Sequence, residues 1–101
     1  MNVIRIDIPK ERLTAFCRSR HIRWLAAFGS AVRDDFGPDS DVDVLVEFEP
    51  DHTPGWEIVD IEEDLSALLG GRKVDLINPK YLNRRLRDRV LAEAEVLYAK
   101  G

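Results

Sequence analysis

At 101 residues the chain has room for one domain, and its 45% hydrophobic residues are enough for one modest core. Its 15 Lys and Arg against 19 Asp and Glu leave a formal net charge of −4, which argues against a broad, sequence-independent grip on nucleic acid, because that mode needs clustered cations to release counterions. No apolar run approaches the ~18 residues of a membrane span, no signal-peptide stretch opens the chain, and the single Cys17 cannot form an intrachain disulfide; a soluble, cytoplasmic, reduced protein is expected.

Residues 2–8 alternate Val3, Arg5 and Asp7 against Ile4, Ile6 and Ile8, which predicts a short extended segment stopped by Pro9. From Lys10 to about Arg20 the apolar residues recur at helical spacing, and Leu13, Phe16 and Cys17 form the inward stripe. The run 22–28 (IRWLAAF) has strand length and ends at Gly29-Ser30. After a polar stretch containing Gly37-Pro38, residues 41–48 (DVDVLVEF) alternate Val42, Val44, Val46 and Phe48 against Asp41, Asp43, Leu45 and Glu47, the clearest strand in the chain. A loop over 49–55 leads to a helix with Ile58, Ile61, Leu65, Leu68 and Leu69 on one side, closed by Gly70-Gly71. Residues 72–77 (RKVDLI) read as a further strand. Asn78-Pro79 suits the start of a last helix, with Asn as cap and Pro at the first helical position, and Leu86, Val90, Ala94 and Leu97 mark its stripe. The predicted order is β-α-β-β-α-β-α, a small α/β (α+β) layer fold in which helices cover a mixed sheet, with residues 1–101 forming one domain.

The chemistry concentrates between Gly29 and Val44. Asp41 and Asp43 stand two apart on a predicted strand, so both carboxylates project from one face. Neighbouring carboxylates repel and call for a positive charge; hard oxygen donors favour Mg²⁺, Mn²⁺ or Ca²⁺ over zinc. Asp75, between Val74 and Leu76, also faces away from the apolar side of its strand. If the two strands are neighbours, three carboxylates meet on one face, a set able to hold two metal ions about 3.5–4 Å apart for in-line phosphoryl transfer. Gly29 at the end of a strand lets backbone approach a phosphate, Ser30 adds a hydroxyl donor, and Arg33 adds a charged donor one turn on. Together these residues specify a nucleoside triphosphate site.

Other schemes find less support. Asp34, Asp35, Asp39 and Asp51 read as solvated loop acids, and a calcium loop counted from Asp39 would need Gly at Val44 and Glu at Pro50. There is no P-loop, and His21 and His52 belong to no sequence-local metal motif. Arg84, Arg85, Arg87 and Arg89 read as a solvated face balanced by Asp88 and Glu93, with a docking surface for an acidic partner as the alternative. Trp24 and Trp56 read as core or interface anchors.

Gly29-Ser30, ten intervening residues and then Asp41-Val42-Asp43, with Ser40 ahead, resemble the signature of the DNA polymerase β-like nucleotidyltransferase superfamily. The small size, the acid in KVDLI and the ending NPKYLNRRLRDRVLAEAEVLY are similar to the minimal nucleotidyltransferase (MNT) antitoxins of HEPN/MNT toxin-antitoxin pairs. The resemblance implies the nucleotidyltransferase fold and an enzyme that transfers AMP from ATP to a tyrosine of a HEPN ribonuclease toxin. It further implies that Gly29 and Ser30 hold the triphosphate, that Arg33 binds it, and that Asp41 and Asp43 bind two Mg²⁺ ions. Asp75 would hold the catalytic metal and help deprotonate the hydroxyl. Many relatives carry Gly after that arginine, where this chain has Asp34.

A chain this short has room for the nucleotide half of a transferase and little for an acceptor pocket, so the acceptor is expected to come from a docked partner in a hetero-oligomer. Two other readings stand beside catalysis: an antitoxin that neutralises its partner by binding alone, and a transferase for a small molecule, which would normally need an added substrate-binding domain.

Overall fold

The computed structural model describes residues 9–29 and 41–100. The extended segment predicted over 2–8 lies outside them, as do Ser30 and Arg33. Helix α1 (Lys10–Ser19) buries Leu13 and Cys17, the spacing of one helical face. It ends in a turn at His21, whose φ of 58° is the one left-handed value at a described non-glycine residue. Strand β1 (Ile22–Phe28) runs antiparallel to β2 (Val42–Phe48), and α2 (Glu57–Leu68) carries the chain from β2 to β3 (Val74–Ile77), which is parallel to β2. Gly70 and Gly71, both at positive φ, close α2 with a hydrogen bond from Gly71 N to Ser66 O of 2.8 Å. This is the paired-glycine stop that the sequence predicts.

The end of the chain departs from the predicted order. Asn78 caps only a single 3₁₀ turn, Pro79–Tyr81, before Leu82 returns to extended backbone. The last helix, α3 (Arg84–Glu93), starts instead at Asn83, whose side chain accepts from Leu86 N at 2.9 Å. Ala94 is extended (φ −68°, ψ 142°) and stops the helix, and Leu97 lies in a strand, β4 (Glu95–Ala99), antiparallel to β1. The helical stripe through Leu97 is thus a correction: the β-prone EVLYA finds the open edge of β1, a non-local pairing that overrides local periodicity. The sheet is mixed, in the order β3-β2-β1-β4, and the architecture is α+β.

One face of the sheet holds the main core. Val42, Val44 and Val46 of β2, Leu25 and Ala27 of β1 and Val74 of β3 meet Leu13 and Cys17 of α1 and Ile61 and Leu65 of α2. The opposite face is not left to solvent. Leu45 and its register partner Ala26 are fully buried there, and α3, with Val90 buried, packs against β1. Leu45 is therefore a core residue, although alternation grouped it with the acids. Trp24 is half-buried and Trp56 is 94% exposed, so the latter is no core anchor. No helix among the described residues is long and apolar enough to cross a membrane.

Burial pushes the Cys17 thiol up to about 12, whereas an unfolded chain releases that proton near pH 8.5. Between those values the native state binds more protons than the unfolded one, so stability conferred by the buried neutral thiol falls as pH rises. Urea titrations from pH 8 to 10.5 are expected to show a steeper loss for the wild type than for Cys17→Ala, by at most ~1.4 kcal/mol per pH unit. In native protein Cys17 should resist a thiol reagent that reacts at once in urea.

Candidate active site

The site starts from the valines of β2. With Val42 and Val44 drawn into the core at 0% exposure, strand alternation leaves Asp43 between them on the other face. The parallel pairing with β3 sets Val42 opposite Val74 and Asp43 opposite Asp75. Neighbouring strands run ~4.8 Å apart and residues in register share a face. Asp43 and Asp75, both half-buried, are therefore side by side. Asp41 is exposed and immediately precedes β2, where Val42 N donates to Lys73 O at 2.8 Å and fixes the entry of the strand.

Gly29 arrives from the other side. β1 pairs Phe28 with Asp43, and the chain then turns at Gly29 with φ of 67°. A Cβ placed on Gly29 would lie 2.8 Å from Asp43 Oδ2, closer than carbon and oxygen tolerate. Glycine is required here twice over, for the left-handed turn and for the approach to the carboxylate. Of the residues picked from sequence, the fold thus unites Gly29, Asp43 and Asp75, with Asp41 at the strand entrance; Ser30 and Arg33 lie outside the described residues. On the far edge of β3, Glu62 of α2 accepts a hydrogen bond from Leu76 N at 2.9 Å, anchoring the residue next to Asp75.

The donor chemistry suits a hard divalent cation. Asp43 and Asp75 offer carboxylates from register-paired positions of adjacent strands, Asp41 lies at the entry of β2, and neither a thiol nor an imidazole is among these residues. Buried apolar neighbours hold the strand positions, so the carboxylates are carried on rigid elements.

Sequence reading missed a second constellation. His21, Glu49 and His52 place one donor atom each within 4.8 Å of one another. They sit where β1 begins and β2 ends, the opposite end of this strand pair from Gly29 and Asp43. No local motif announces them, because 28 residues separate His21 from Glu49.

Known proteins resemble this chain in sequence and in fold. Residues 11–101 match the family model described as polymerase beta, nucleotidyltransferase. A protein adenylyltransferase MntA from Thermococcus cleftensis is 42% identical over 73 residues, 71% of each chain. A solved structure assigned provisionally as a minimal nucleotidyltransferase superposes with a TM-score of 0.70 at 35% identity, covering 85% of this chain and 86% of the other. A toxin-antitoxin crystal structure with AMP-PNP gives a TM-score of 0.71 at 18% identity, covering 92% and 75%, a likeness of fold.

Proposed function

The chain belongs to the polymerase beta nucleotidyltransferase family, and from that premise we propose that it is a single-domain, cytoplasmic antitoxin that transfers AMP from ATP to a tyrosine of a HEPN toxin. The observation that carries this reading is the register that sets Asp43 opposite Asp75 beside the Gly29 turn. The acceptor class is supported by the adenylyltransferase relative and by the fold shared with an MNT antitoxin solved in complex with a tri-AMPylated HEPN toxin from Shewanella oneidensis (TM-score 0.61, 17% identity, covering 90% and 70%).

In this reading Asp41, Asp43 and Asp75 hold Mg²⁺, which when bound neutralises the triphosphate and the departing pyrophosphate. Gly29 keeps the end of β1 free of side-chain atoms, so that backbone can approach the phosphates, and the roles of Ser30 and Arg33 as phosphate ligands rest on the sequence motif. A carboxylate oxygen of Asp75 accepts the proton of the tyrosine hydroxyl as its oxygen bonds to the α-phosphorus and the bond to pyrophosphate breaks. The partner orients its own tyrosine, which supplies the positioning on which phosphoryl transfer depends.

The test is the intact mass of the HEPN partner after incubation with this chain, ATP and Mg²⁺. Gain in whole adenylate units, located on a tyrosine, is the expected result. A second reading, neutralisation by binding alone, draws on Trp56, 94% exposed, and Val59, 49% exposed, at the start of α2, an apolar surface suited to a partner. No mass gain in a tight, neutralised complex would favour it.

A further inference from the structure

We infer that His21, Glu49 and His52 form a second metal site, for one late first-row divalent cation of the zinc class, distinct from the carboxylates at the other end of the strands. The three residues come from two corners of the fold that the sheet brings together. Their backbone is tied before any ligand arrives: Glu49 N donates to His21 O at 2.8 Å and His52 N donates to Glu49 O at 2.9 Å. His21 is further fixed by its left-handed turn. One donor atom from each residue lies within 4.8 Å of the other two, and two imidazoles with one carboxylate make a three-ligand set that zinc binds readily, with water in the fourth position. Imidazole nitrogen selects against Mg²⁺, which prefers oxygen and keeps its waters.

The surroundings support the assignment. Glu49 is aligned by two partners, His21 Nδ1 at 3.3 Å from Oε2 and the Lys100 ammonium on Oε1. A cation taking the place of the His21 contact would leave Lys100 as the outer partner that orients the carboxylate. The two histidines line a cleft of about 290 Å³ together with Asp51, Thr53 and Glu57, which gives an ion a path from solvent to the imidazoles. The two imidazole rings stack at 3.6 Å with 7° between their planes. A metal lies in the plane of each ring that binds it, so one ring must swing out of the stack. Both histidines are exposed, and the swing displaces no core side chain. Closing the site would clamp the 49–55 loop to the turn between α1 and β1, a staple of the kind small domains use.

Calorimetric titration of the chelator-treated full chain with Zn²⁺ tests this. One saturating equivalent is expected, with the imidazole proton resonances of both histidines shifting together and the thermal midpoint rising with free Zn²⁺. His21→Asn, chosen because Asn tolerates the left-handed turn, and His52→Gln, on an exposed turn, should each weaken binding roughly tenfold or more. Asp43→Asn should bind Zn²⁺ as the wild type does, and excess Mg²⁺ should not compete. Absence of saturable binding overturns the site, as does binding that survives both histidine substitutions or is lost in Asp43→Asn. If His21→Asn fails to fold, His52→Gln carries the same test alone.

Discussion

Asp43→Asn is expected to lower adenylate transfer on the order of 10³-fold while the domain stays folded. Asn has the volume of Asp, and Val42 and Val44 on either side, both at 0% exposure, keep β2 in place. What changes is charge at the position directly opposite Asp75. Stabilising charge on a phosphoryl group through a bound ion is worth several kcal/mol, and ~4 kcal/mol corresponds to about three decades in rate. Single-turnover transfer to the HEPN partner measures the loss. The thermal midpoint, expected within ~4 °C of wild type as for other substitutions outside the core, separates it from unfolding. The complex with the partner should persist. A rate within tenfold of wild type would remove Asp43 from the metal set; full neutralisation without transfer would instead mark an antitoxin that acts by contact.

Gly29→Ala should cost about 10²-fold in activity by displacing the same carboxylate. Its φ of 67° is unfavourable for any residue with a Cβ, by roughly 1–2 kcal/mol, and denaturant titration should register that loss. The new methyl would also stand 2.8 Å from Asp43 Oδ2. The atom in its way ends a short side chain, so the least costly relief is rotation of the Asp43 carboxylate, and a displacement near 1 Å at a reacting centre costs about 10²-fold. The two substitutions should therefore be strongly non-additive: in an Asp43→Asn background, Gly29→Ala should lower transfer little further. Additive losses would mean that Gly29 acts through the phosphates alone.

How far the site is legible in sequence depends on the range of each signal. Asp41 and Asp43 on one strand face follow from alternation, a local property. Asp75 carries the same signature, but its partnership with Asp43 depends on β2 and β3 being neighbours, which only the pairing settles. His21 and His52 look unrelated in the chain, and a hydrogen bond between the backbones of His21 and Glu49 makes them neighbours.

The sequence by itself determined the elements whose hydrophobic period is unambiguous: α1 with Leu13 and Cys17, β1 up to Gly29, β2 with its valines, and α2 up to the Gly70-Gly71 stop. It also carried the spacing from Gly29-Ser30 to Asp41 and Asp43 on which the family resemblance rests. The tertiary structure decided what happens to segments whose local signals are divided. Residues 95–99 continue a helical stripe and also have strand composition; the free edge of β1 supplies hydrogen bonds that a helix end could not, and they become β4. Leu45 alternates with acids yet is fully buried, because α3 packs on that side of the sheet. Periodicity reports which residues share a face, but what covers a face, and which strand lies beside it, are set by contacts between distant parts of the chain.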